Sequence, residues 1–158
     1  MIKLNLPEYS FRLSNRGDQV LIFDPFRKKQ VVLTPEEWVR QNFLQFLIKE
    51  KHYPESLIKV EMGLKLNKLL RRSDIVVFDK LGKPFLMVEC KAPNVKISQK
   101  VFDQIARYNL TLKVDYLIVT NGLEHFCCKL NFSEGSYSFL QEIPAYTEIV
   151  DLSGSDKL

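Results

Sequence analysis

The sequence predicts an α/β protein, a central mixed β-sheet of four or five strands flanked by helices. Three observations carry this. Strand-like and helix-like runs alternate along the chain instead of segregating. A helical run, SQKVFDQIARYNLTLK (98–113), separates the strand-like FLMVECK and YLIVT, so that pair needs a crossover and should lie parallel. The 158 residues, 46% hydrophobic and 27% charged, suffice for one domain with a sizeable core and exclude a disordered chain. The whole chain, 1–158, therefore reads as one domain. Its core spans about 34–130, an N-terminal hairpin lies within 1–33, and a polar tail at 151–158 should fray.

DQVLIFDPFRKKQVVLT (18–34) reads as a hairpin of two β-rich runs around a Pro-containing turn, expected to extend or cover one sheet edge. LTPEEWVRQNFLQFLIKEK (33–51) then carries a helix start. Thr34 is the N-cap, Pro35 the first helical residue and Glu37 the partner in a capping box. Val39, Phe43, Phe46 and Leu47 recur at helical spacing to about Glu50, and His52-Tyr53-Pro54 breaks the helix. SLIKVEMGL, LRRSDIVVFD and KPFLMVECK are three strands, the last two joined by a turn at Lys80–Lys83. In the next helix Ser98 caps, and Val101, Ile105, Tyr108 and Leu112 mark one side. DYLIVTNG is a buried strand closed by Asn-Gly, and HFCCKLNF and YSFLQEI are further short strands.

Several function classes drop out. No apolar run approaches the roughly 18 residues of a membrane span. The N-terminus MIKLNLPEYSF lacks the layout of a secretory signal. Three cysteines (Cys90, Cys127, Cys128) with no CxxC argue against a disulfide framework or a zinc site, and point to the cytoplasm. His52 and His125 are isolated and read as structural. There is no GxGxxG and no P-loop, so this chain supplies no ATP-driven motor.

Charge is uneven. Nine basic residues between Lys65 and Lys100 face only three acids, which is +6 there against +4 for the chain, leaving −2 elsewhere. A local positive field suits a polyanion, although Lys80 and Lys83 also fit a solvated turn.

Within that window a hairpin symmetric about Leu81–Gly82 pairs Phe78 with Phe85 and Asp74 with Glu89. Directly opposed residues have Cβ atoms about 5 Å apart. Two half-buried carboxylates so placed repel each other and lose solvation, where Val or Thr would make a more stable hairpin. A divalent cation between them reverses that sign. Lys91, two residues beyond Glu89, shares its face, while Cys90 points the other way and is a poor nucleophile. Oxygen donors without His or Cys suit Mg²⁺ or Mn²⁺, and a metal, a water and a lysine in a basic surround fit attack on a phosphodiester. The bland alternative is a surface Glu89–Lys91 ion pair.

Asp74…Glu89-Cys90-Lys91 resembles the D…(D/E)-x-K signature of the PD-(D/E)XK nuclease superfamily, with Ser73 where the name has proline. RSDIVVFD, FLMVECKAP, QIARYN and LIVTNG together resemble the N-terminal nuclease domain of type I restriction enzyme R subunits in a short stand-alone form, over about 34–130. The resemblance implies a restriction-endonuclease-like fold and a Mg²⁺- or Mn²⁺-dependent deoxyribonuclease. Asp74 and Glu89 would bind metal and Lys91 would assist the water. It also implies a glutamate on the first helix facing the metal, for which Glu36 is preferred because its spacing from Val39 and Phe43 puts it on the buried stripe, while Glu37 serves the cap. DQIARY resembles a Q-x-x-x-Y element, in which Gln104 orients the site or touches the phosphate backbone, or else is a helix-surface amide, and Tyr108 either touches DNA or packs in the core. Arg71, Arg72, Lys96 and Lys100 are the remaining candidates for DNA contact. The implied partners are DNA and a motor or specificity subunit on another chain, with a homodimer also open. The rival reading is a catalytically silent DNA-binding or assembly module on the same fold.

Overall fold

The structure, a computed structural model, describes the backbone of residues 1–66 and 69–155 and the side chains of 1–60, 74–110 and 113–150. Nine strands and three helices follow in order: β1 (Leu13–Arg16), β2 (Gln19–Asp24), β3 (Lys29–Val32), α1 (Pro35–Lys49), β4 (Ile58–Leu66), β5 (Leu69–Phe78), β6 (Pro84–Cys90), α2 (Gln99–Leu112), β7 (Tyr116–Thr120), β8 (His125–Asn131), β9 (Ser136–Leu140) and α3 (Tyr146–Ser155). Six of the strands form one sheet in the order β4-β5-β6-β7-β8-β9. Only β6 and β7 run parallel, joined by the α2 crossover, and every other neighbour is antiparallel. The fold class is α/β with a mixed sheet, one or two strands wider than the sequence suggests.

The N-terminal hairpin is a separate three-stranded antiparallel sheet, β1-β2-β3, and not an extension of the large one. Its buried end brings Ile22 and Asp24 inward, and Phe26 packs on the main core. The tail expected to fray at 151 instead carries the second half of α3, whose Ile149 is fully buried.

Both layers of helix follow from strand alternation. Ile75, Val77, Leu86, Val88 and Ile118 meet Val39, Phe43, Leu44 and Leu47 of α1. Leu117, Val119, Cys128 and Leu130 meet Phe102, Ile105 and Ala106 of α2. The buried stripe of α2 is thus Phe102-Ile105-Ala106-Asn109, one position round from the side expected, leaving Val101 and Tyr108 half-buried.

The helix starts are as written in the sequence. Thr34 Oγ1 accepts the Glu37 amide at 3.0 Å, and Ser98 Oγ accepts the Val101 amide at 3.2 Å. The box at Thr34 is only half made, because the Glu37 carboxylate turns to Arg27, Arg40 and Gln41. All three cysteines are free and buried, as small hydrophobes in strands should be. Among the described residues no helix is long and apolar enough to cross a membrane.

Candidate functional site

The site grows out of the β5–β6 hairpin. Its turn is closed by Asp79, whose Oδ1 accepts the amides of Leu81 and Lys83 at 2.9 Å each, with Gly82 at φ +84°. Phe78 then pairs with Pro84, not Phe85, and Phe85 is an extra residue in β6. Past this bulge the expected register returns: Val77 pairs with Leu86, Val76 with Met87 and Ile75 with Val88. The ladder stops at Ile75–Val88, and one step further Asp74 Oδ2 reaches across to accept the Cys90 amide at 2.7 Å. A side chain has taken over the work of a backbone carbonyl, so Asp74 is fixed against the segment that carries Glu89 and Lys91.

Glu89 and Lys91 lie on one side of that segment, with Lys91 Nζ 3.1 Å from Glu89 Oε1. Their side chains are 18% and 31% exposed, so the pair sits at the edge of solvent. Lys91 is itself fastened by its amide to Thr120 O at 2.8 Å, the end of β7. The parallel ends of β6 and β7 therefore open at one place, where loops rather than further strands continue the chain.

Helix α1 brings two more charges. Glu36 and Arg40 are one turn apart, and both act electrostatically on Asp74. Burial pushes the Asp74 carboxyl up to about 6. The Cys90 amide and the Arg40 guanidinium pull it down, and Glu36 and Glu89 push it up. Glu36 is exposed, off the buried stripe expected for it, whereas Glu37 is buried, and of the two it is Glu36 that acts electrostatically on Asp74. Arg40 was not singled out from the sequence. The readable signal was a cation between Val39 and Phe43 of the apolar stripe, four residues after Glu36.

Arg40 belongs also to a buried chain of charges. It pairs with Glu37, Glu37 pairs with Arg27 at 2.6 Å, and Arg27 pairs with Asp24. Gln41 donates to Glu37 at 2.9 Å. Through these contacts the small N-terminal sheet is fastened to the helix that faces Asp74.

The remaining candidates lie on α2, on the crossing before it and on β5. Gln104 is exposed on α2 and, among the described residues, makes no side-chain hydrogen bond. Tyr108 is half-buried on the same helix. Lys96 and Lys100 are exposed on and just after the 91–98 crossing from β6 to α2. Arg71 and Arg72 lie on β5 opposite Leu64 and Gly63, and their side chains fall outside the described residues. Cys90 is a fully buried thiol raised by its burial, so it stays protonated. His125 is held by Thr120 Oγ1 at 2.7 Å and Asn5 O at 3.0 Å, and burial lowers its pKa, which fits a neutral structural imidazole.

The donor set of Asp74, Glu89 and Glu36 is hard oxygen, the chemistry of Mg²⁺ or Mn²⁺ rather than zinc, and their mutual repulsion favours a cation. Among the described residues no three His, Cys, Asp or Glu side chains already converge into a cage, so these carboxylates would form a partial shell completed by water or phosphate.

Residues 35–144 match the family described as the type I restriction enzyme R protein N terminus. A fragment structure from Vibrio vulnificus YJ016, attributed to an HsdR subunit of a type I restriction enzyme, has a similar fold, with a TM-score of 0.56 and 20% identity over 80% of this chain and 26% of that one. The chain thus spans about a quarter of that structure's length. No curated protein matches the chain.

Proposed function

The chain belongs to the type I restriction enzyme R protein N-terminal family, and from that premise we propose that it hydrolyses DNA phosphodiester bonds with Mg²⁺ or Mn²⁺ at Asp74, Glu89 and Lys91. The observation that carries the reading is the position of Asp74. A half-buried carboxylate bridges the gap beyond the last β5–β6 rung, beside two further carboxylates that oppose its charge, and Lys91 is tied to one of them. A hairpin built for stability alone gains nothing from that arrangement.

Bound there, Mg²⁺ or Mn²⁺ would supply a Lewis acid that makes water a better nucleophile and offsets phosphate charge. Asp74 and Glu89 would hold the cation, and Glu36 would join them. The Lys91 ammonium donates a hydrogen bond to the attacking water and faces the charge that grows on the phosphate. Arg40 offsets part of the carboxylate charge when no cation is present. Gln104 would orient the site or touch the phosphate backbone, and Tyr108, Arg71, Arg72, Lys96 and Lys100 would meet the DNA backbone. A motor or specificity subunit would come from another chain.

The rival, a DNA-binding or assembly module that does not cut, draws on one observation, the absence of a three-ligand cage among the described residues. Calorimetric titration of Mn²⁺ into wild type and Asp74→Ala separates the two. Binding heat in wild type that is lost in the variant supports the nuclease, and no heat in wild type supports the module. Plasmid cleavage in Mg²⁺ completes the test.

A further inference from the structure

The strand end LIVTNG carries two residues that the site above does not use, Asn121 and Gly122. Gly122 has a structural explanation. It sits at φ +84°, and a Cβ there would stand 2.7 Å from the Leu4 side chain. Asn121 is different. Its Oδ1 accepts the amides of Leu123 at 2.9 Å and Glu124 at 2.8 Å, which makes the turn into β8. Asp, Ser or Thr could serve that turn equally. Its Nδ2 does something else: it donates to Val95 O at 2.9 Å, on a segment 26 residues earlier. An amide side chain fills both roles at once with separate donor and acceptor atoms, and Asn121 is 4% exposed while it does so.

Val95 lies midway along the 91–98 crossing. That crossing starts at Lys91, fastened by its amide to Thr120 O, and ends at Ile97, buried against α2, and at the Ser98 cap. Between those ends its own turn closes with Val95 N donating to Ala92 O at 3.0 Å. Among the described residues, the Asn121 amide is the one side-chain hydrogen bond that another element makes to the middle of the crossing. Lys96 is the next residue after the carbonyl it grips.

We propose that Asn121 is a positioning residue for DNA: its amide holds the 91–98 crossing so that Lys96 keeps a fixed register with Lys91 along one phosphate backbone. The inference rests on the DNA reading above. A lysine on a loose loop still attracts DNA, but ordering it on binding costs conformational entropy that a pinned loop has already lost.

The test is Asn121→Asp, which keeps both turn acceptors, removes the donor to Val95 and adds a negative charge. The 158-residue chain is titrated with a duplex oligonucleotide in EDTA at one fixed low salt, followed by fluorescence anisotropy. Asn121→Asp should weaken binding about fivefold, and Lys96→Gln about fivefold in wild type but less than about twofold in the Asn121→Asp background. Cleavage in Mg²⁺ should show the same split, with KM raised and kcat within about twofold. The new carboxylate repels DNA by itself, so Asn121→Ser, which is neutral, keeps an acceptor and has a hydroxyl one bond short of the amide nitrogen that reaches Val95 O, should reproduce both the weakening and the lost effect of Lys96→Gln. A full Lys96→Gln effect in either Asn121 background, or wild-type affinity in both, overturns the inference. Wild type that binds no DNA overturns the DNA reading together with it, whereas wild type that binds with no coupling overturns this inference alone.

Discussion

Two groups of charged side chains meet on the first turns of α1, and they are balanced differently. The first, Asp24, Arg27, Glu37 and Arg40, sets two carboxylates against two guanidiniums. Asp24 is 1% exposed, Glu37 4% and Arg40 6%, and Asp24 also accepts the amides of Phe26 and Arg27. The second sets Asp74, Glu89 and Glu36 against Lys91, with Arg40 shared between the groups. It lies nearer solvent, and its central carboxyl is raised, not settled. Buried charge that only holds a fold comes in equal numbers, because an unmatched charge in the interior costs several kcal/mol. An excess of carboxylate at the mouth of two parallel strands has no such use. That contrast is why function is assigned to the second group and architecture to the first.

The sharpest way to break the comparison is Lys91→Ala. If the second group is catalytic, cleavage should fall by about a thousandfold or more, with the melting temperature nearly unchanged, since a third of the Lys91 side chain is exposed and the pair with Glu89 is worth little to stability. Plasmid cleavage beside a thermal melt measures both. Wild-type cleavage in that variant would reduce the second group to a surface ion pair.

The first group makes the opposite prediction. Glu37→Gln leaves Arg27 and Arg40 without their shared carboxylate in a buried place, and should cost about 3–5 kcal/mol. For a chain of this size that is a fall of roughly 10 °C in melting temperature. A drop under about 3 °C would mean that the N-terminal sheet is not fastened through this network.

How far each group could be read beforehand follows from what each depends on. The second rests on local pattern: an acid at the start of a hairpin, E-x-K at its end, and period-two alternation between them. That pattern holds even though Phe78 pairs with Pro84 and not Phe85, because the bulge at Phe85 restores the register before Ile75. The first group rests on contacts between elements, Arg27 on a turn with Glu37 on a helix, and no periodicity announces those. Its only trace is a set of polar residues (Glu37, Arg40, Gln41) on the buried side of α1. The missed elements have physical reasons too. The four residues of β1, LSNR, are mostly polar and are held by pairing with β2. α3 contains Gly154 and serines, poor helix formers, and is held by Ile149 and Tyr146 packing on the main core.

A smaller effect concerns Asp74 alone. Its folded pKa, about 6, lies above the ordinary value near 3.9, so the folded state binds the proton more tightly than the unfolded chain. Its contribution to stability is therefore fully present below about pH 4 and is lost as pH rises through 6, by roughly 3 kcal/mol in total. Other carboxylates follow their own trends. The quantity to measure is the difference in urea stability between metal-free wild type and Asp74→Asn at pH 4, 5, 6 and 7. Asn keeps an acceptor for the Cys90 amide and does not titrate. The difference should move against wild type as pH rises, and a flat difference would mean that the carboxyl is not held as the geometry requires.

The smallest expected effect joins pH to metal. Above pH 6 the metal-free site carries repelling carboxylates, and a cation bound between Asp74 and Glu89 relieves that repulsion. At ten times its Kd, Mn²⁺ or Mg²⁺ should add about 1.4 kcal/mol, a rise of about 4 °C. Protons compete for Asp74, so the rise should shrink toward pH 5. Glu89→Gln keeps the shape and removes one charge. It should abolish the rise, while Glu37→Gln, whose carboxylate is closed within the first group, should melt lower but keep it. The two variants thus act on different quantities, one on the metal increment and the other on the baseline. An equal increment in Glu89→Gln and wild type would place the cation elsewhere, and the imbalance of the second group would then need another explanation.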